Sequence, residues 1–185
     1  PATHGDILIG KRSREINSPR DAYKYGIGMV YQHFTVVPSM TVAENLLLVR
    51  PDTPGVINWK LEYEKLEAFM QNSPFQVNLN TPIAQLAAGQ KQKLEILKQL
   101  YLKSRILILD EPTSALDQHA RRAVWDIGRE LHKEGRTIVL TTHAMEEAEA
   151  LCGRIAIIDR GQVVACDTPG ALISNLQLNS MLKAT

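Results

Sequence analysis

The chain has 185 residues, 44% of them hydrophobic and 22% charged, which suits a globular domain with a sizeable core. Twenty-one lysines and arginines against 20 aspartates and glutamates leave a formal net charge of +1, without the basic excess of a duplex-DNA binder, so nucleic acid is not expected as a partner. No apolar run approaches the roughly 18 residues that span a bilayer, so any membrane role must come through a partner; the short basic clusters Lys11 to Arg14 and Arg121-Arg122 read as solvated faces, and Cys152 and Cys166 as reduced, partly buried thiols with no metal-ligand spacing.

In chain order, Ser18-Pro19 through Gly26 reads as a short helix with Ser18 as N-cap. Gly28 to Tyr31 reads as a buried strand running into Gln32. Thr41-Val42-Ala43-Glu44 fits a capping box and opens a helix to about Val49. Leu61 to Met70 has helical apolar spacing, and residues 72–82 are polar and interrupted by proline, hence loop. A long helix is predicted from Ala88, with Leu94, Leu97, Leu100 and Tyr101 on one face.

Ile106-Leu107-Ile108-Leu109 is a continuous apolar run, as expected for a central parallel strand covered on both sides. It stops at Asp110-Glu111-Pro112. Asp117 caps a further helix in which Ala120, Val124, Ile127 and Leu131 repeat, and Gly135 ends it. Thr137 to Leu140 is a second buried strand, followed by Thr141-Thr142-His143 and a short acidic helix from Met145. A hairpin turns at Arg160-Gly161, and Thr168-Pro169 opens a last helix.

Strand-helix alternation predicts an α/β domain with a mostly parallel sheet. The mostly helical stretch 37–103 predicts an inserted helical subdomain, with residues 1–36 and 104–185 forming parts of the core.

Adjacent carboxylates at the C-terminal end of a buried strand stand where α/β sheets place their ligands. Asp110 is suited to hold Mg²⁺, directly or through water, and Glu111 to orient and deprotonate an attacking water. Strand alternation would point the two to different sides.

The run Leu109 to Asp117 resembles the Walker B strand, catalytic glutamate and D-loop of ABC ATPases, which have a P-loop NTPase-like core. Gln32 resembles that family's Q-loop glutamine and His143 its switch histidine. Leu86-Ala87-Ala88-Gly89-Gln90 resembles the signature motif and precedes a long helix.

The resemblance implies ATP and Mg²⁺ as cofactors. Glu111, His143 and Gln32 would be catalytic, and Asp110 and Gln32 would be at the metal. Ala87, Ala88, Gly89, Gln90 and Asp117 would be at the nucleotide. It also implies a second nucleotide-binding domain (a separate copy or a fused half), transmembrane permease subunits, a substrate-binding protein, and a place on the cytoplasmic face of the inner membrane.

Tyr31-Gln32-His33-Phe34 with Val37 to Asn45 is similar to importers of simple sugars and nucleosides, and so is Leu94-Glu95-Ile96-Leu97-Lys98 followed by Leu100-Tyr101. A soluble non-transport ABC ATPase and an impaired or regulatory ABC domain are the alternatives. Two departures stand out. Ala87 and Ala88 replace the usual serine and glycine, and no G-x-x-x-x-G-K-[ST] loop occurs; because Pro1 looks like a cut point and the downstream acidic residues are intact, the missing loop reads as N-terminal truncation, and these residues alone are expected to bind ATP weakly.

Overall fold

The computed structural model describes residues 5–182, with side chains through residue 175; Pro1 lies outside them. The chain divides into two compact units between Thr141 and Thr142.

The first unit begins with a hairpin that sequence pattern did not reveal, Leu8–Ile9 (β1) paired antiparallel with Arg12–Ser13 (β2). Its two-residue turn, Gly10-Lys11, has positive φ at both positions (58° and 64°), which matches the twist of paired strands. Pro19–Lys24 (α1) follows, its first turn closed by the Asp21 N–H donating to Ser18 Oγ at 3.2 Å.

Ile27–Val30 (β3), Ile106–Asp110 (β4) and Thr137–Thr141 (β5) form a parallel sheet in the order β3-β4-β5. Between β3 and β4 lie Val42–Leu48 (α2), Trp59–Gln71 (α3) and Ala88–Tyr101 (α4). The expected capping box is present: Thr41 N–H donates to Glu44 Oε2 at 2.7 Å, and Glu44 N–H to Thr41 Oγ1 at 3.3 Å. Gln118–Lys133 (α5) joins β4 to β5 and buries Val124, Ile127 and Leu131 as the periodicity predicts. One core holds Val30, Leu46, Leu66, Leu97, Leu107 and Leu131 together.

The sheet's two faces differ. Gly28, Val30, Leu107 and Leu109 are buried, whereas Met29 and Ile108 are only half-buried and Val139, on the same face in register, is 47% exposed. The expectation that β4 is covered on both sides is corrected accordingly: an unbroken apolar run conceals a two-residue alternation of burial.

The second unit comprises Met145–Leu151 (α6), Ile155–Asp159 (β6), Gln162–Asp167 (β7) and Pro169–Leu182 (α7). β6 and β7 form the expected hairpin, with positive φ at Arg160 and Gly161. Cys152 is half-buried, and that burial, followed by the nearby Glu147 carboxylate, pushes its thiol up. Cys166 is exposed, not partly buried as expected, because β7 presents most of its residues to solvent. Arg14 and Arg121 are likewise half-buried and not fully solvated; the Arg14 guanidinium lies 5.2 Å from the Tyr25 ring centroid. Among the described residues, no helix is long and apolar enough to cross a membrane.

Candidate functional site

β4 places Asp110 at its C-terminal end, on the more open face of the sheet and directly across from Thr141 of β5. Thr141 Oγ1 donates to Asp110 Oδ1 at 2.6 Å, which fixes the carboxylate's orientation. The sequence pattern had singled out Asp110 but not Thr141; the register between the strands is what pairs them.

Glu111 leaves the strand by a different route from the one predicted. Its φ is +46°, a left-handed conformation uncommon for a residue with a Cβ. The backbone turn, and not strand alternation, therefore separates the two carboxylates. Three hydrogen bonds hold the turn. Glu111 N–H donates to Thr141 O at 3.0 Å, and Ser114 donates to Glu111 O from its N–H at 3.2 Å and from its hydroxyl at 3.0 Å. Such strained positions persist where the surroundings over-determine them and gather at functional sites.

Gln32 lies two residues past the end of β3 in an exposed bend, and so is not the strand terminus itself. Because Val30 is in register with Leu109, the bend leaves the sheet at the same end as Asp110 and Glu111. His143 is exposed, two residues beyond β5, and belongs to the second unit.

Ala87 to Gln90 open α4. Ala87 has extended backbone and no hydroxyl, so only half of a capping box forms: Gln90 Oε1 accepts from Ala87 N–H at 3.0 Å. Relative to a serine at the cap, the loss is about 1 kcal/mol. A Cβ on Gly89 would stand 2.9 Å from the Ala120 Cβ, so the start of α4 packs directly on the first turn of α5. Asp117 is the N-cap of α5, its Oδ1 accepting from Ala120 N–H at 2.8 Å. The structure thus gathers Gln32, Asp110 and Glu111 at one sheet end and sets the 87–90 turn beside the helix that Asp117 caps.

Gly5 to Lys11 has the glycine and lysine spacing of a phosphate-cradling loop, but Arg12 stands where that motif has a hydroxyl residue. The segment folds as the β1–β2 hairpin and no helix begins there, so it lacks the row of helix N-terminal donors that such a loop offers.

The donor chemistry fits a hard divalent cation. Mg²⁺ commonly takes one or two protein carboxylates and completes its octahedron with water and phosphate oxygens. The half-exposed Asp110, oriented by the Thr141 hydroxyl, offers a carboxylate of that kind.

The family model described as "ABC transporter" matches residues 1–114. The chain belongs to the ABC transporter family. It is 36% identical over 163 residues, 88% of this chain and 32% of the relative, to the nucleoside import ATP-binding protein NupA of Lactococcus lactis subsp. cremoris. It is 32% identical over 179 residues, 96% of this chain and 35% of the relative, to the xylose import ATP-binding protein XylG of Thermoanaerobacter pseudethanolicus. The chain thus spans about a third of the length of the curated relatives it matches. Among solved structures it is similar to cbiO1 from Clostridium perfringens, part of the ABC transporter complex cbiONQ, with a TM-score of 0.76 and 21% identity over 98% of this chain and 73% of that one. The fold is that of an ABC ATPase domain, a P-loop NTPase-like arrangement around a parallel sheet.

Proposed function

We propose that this chain is the ATP-binding and hydrolysing part of an ABC transporter that imports a nucleoside or simple sugar. Support comes from the Asp110–Glu111 pair at the end of the central parallel strand, oriented by Thr141, and from the import ATP-binding proteins among the relatives. In this reading residues 37–103 form a helical subdomain within a core built from 1–36 and 104–185. The protein works on the cytoplasmic face of the inner membrane, with permease subunits, a substrate-binding protein and a second nucleotide-binding domain.

Phosphoryl transfer asks a protein for positioning and charge neutralisation more than covalent chemistry. Asp110 would hold Mg²⁺, with Gln32 contributing from the neighbouring strand's exit; the ion, when bound, neutralises charge on the phosphates. Glu111, turned out of the strand by its left-handed backbone, would accept a proton from the attacking water. His143, just past β5, would contact the terminal phosphate. The start of α4, with Ala87, Ala88, Gly89 and Gln90, would offer backbone N–H groups and a positive dipole end to nucleotide held by the second domain, Asp117 lying beside it. These 185 residues alone would bind ATP weakly, since they contain no lysine-bearing glycine loop followed by a helix.

The test is Glu111→Gln in the complete transporter. ATP binding should persist while steady-state phosphate release falls about 10²–10⁴-fold, the usual contribution of a positioned base. Release at the unchanged rate would overturn the role given to Glu111 and with it this reading of the site.

A further inference from the structure

Thr141 touches both acidic residues at the end of the sheet. Its Oγ1 donates to Asp110 Oδ1 at 2.6 Å, and its carbonyl accepts from Glu111 N–H at 3.0 Å. Register brings this about, because Asp110 and Thr141 stand directly opposite one another where β4 and β5 end. Thr137, Val139 and Thr141 share one face of β5, as alternate residues of a strand do. Of the three, only Thr141 opposes a carboxylate; Thr137 stands across from Ile106 and Val139 across from Ile108.

At 2.6 Å the bond has the length of a charge-assisted O–H···O⁻ contact, the stronger kind. It restrains rotation of the half-exposed Asp110 carboxylate and engages one of its two oxygens. Among the described residues no hydrogen bond reaches the other, Oδ2. Asp110 is thus presented as a one-oxygen donor. Mg²⁺ keeps a small, near-octahedral shell, whereas Ca²⁺ accepts more oxygens in looser geometry and can take both oxygens of one carboxylate. A two-oxygen grip on Asp110 would have to compete with the Thr141 hydroxyl for Oδ1. A cross-strand pair kept for sheet stability alone would act in the same way whichever ion is bound.

We propose that Thr141 is a positioning residue of the metal site, whose hydroxyl presents Asp110 to the cation through a single oxygen and so sets a preference for Mg²⁺ over Ca²⁺. The inference rests on the metal-holding role proposed for Asp110 above. Thr141 acts through Asp110 and needs no contact of its own with ion or nucleotide. Groups that orient a metal ligand from behind commonly change metal affinity about 10–100-fold when removed.

The test is equilibrium binding of a non-hydrolysable ATP analogue to the complete transporter, with Mg²⁺, with Ca²⁺ and with neither ion. In the unaltered protein Mg²⁺ tightens binding more than Ca²⁺ does. Thr141→Val keeps the branched shape and removes the donor, and because Thr141 is exposed the exchange leaves core packing intact. Affinity for the metal-free analogue should stay unchanged, while the ratio of Mg²⁺-supported to Ca²⁺-supported affinity falls about tenfold. Thr141→Ser, which restores the hydroxyl, should restore the ratio. A merely structural pair would weaken all three forms of binding alike. A ratio left unchanged or raised by Thr141→Val would overturn the role given to Thr141 and leave Asp110 as the metal holder. Binding indifferent to both ions in the unaltered protein would overturn the metal role of Asp110, and this inference with it.

Discussion

Gly28 shows how tightly single positions are fixed. It sits in β3 with no side chain because Gln99 and Ser104 occupy the space: a Cβ there would lie 2.5 Å from Ser104 Oγ and closer still to Gln99 Oε1. Both neighbours are buried, so neither can swing into solvent. Gly28→Ala should therefore cost about 1–3 kcal/mol in urea unfolding through overpacking. An unchanged midpoint would show that Gln99 repacks freely. Glu111 is fixed in the opposite sense, by hydrogen bonds that hold an unfavourable backbone angle, and Asp110 by one short bond from Thr141. The carboxylates themselves were legible in sequence, because an acidic pair ending an apolar run is a local pattern. Their geometry was not, since Thr141 stands 31 positions away from Asp110 and nothing local announces the pairing.

At the scale of elements, the helix starts at Ser18, Thr41 and Asp117 were readable because capping is settled within four residues. The β1–β2 hairpin was not, since two-residue strands carry no period to detect. The burial of the Glu95–Lys98 pair on α4 was hidden as well: the segment Leu94 to Lys98 was legible as a resemblance, but nothing local shows that its two charges are buried against Thr35. A second charged junction ties the turn after α2 to α3. Glu62 accepts from Arg50 Nη1 at 2.7 Å and from Lys65 Nζ at 2.7 Å, and the Lys65 bond foremost, with Arg50 adding to it, holds its carboxyl below the ordinary value of 4.5 against the opposing effect of burial. A carboxyl whose folded value is depressed contributes stability above its unfolded value and loses it as pH falls through the folded one. Stability should thus decline as pH drops below about 4.5, and the Glu62→Gln variant should decline less steeply than the unaltered protein over the same range. Parallel pH dependences of the two proteins, measured by chemical denaturation, would remove Glu62 from the account.

At the scale of the whole molecule, the parallel sheet and its helices were predicted from strand-helix alternation, and the match to an ABC ATPase fold agrees with it. The difference in burial between the sheet's two faces was not, because Ile106 to Leu109 reads as uniformly apolar while Ile108 and Val139 are left partly open. Among the described residues, β5 pairs on one side only, with β4. Its outer row of N–H and C=O groups, beside a half-exposed valine and flanked by threonines, is a template for strand addition. Light scattering on a solution of these 185 residues should therefore show self-association that grows with protein concentration. Val139→Lys should suppress it, since a like charge repeated across a strand-to-strand junction repels. Equal scattering from both proteins would show that β5 is shielded in solution. Colloidal behaviour, and not only catalysis, is thus written into that strand edge: whatever polypeptide normally pairs with it would act as the molecule's solubilising hem.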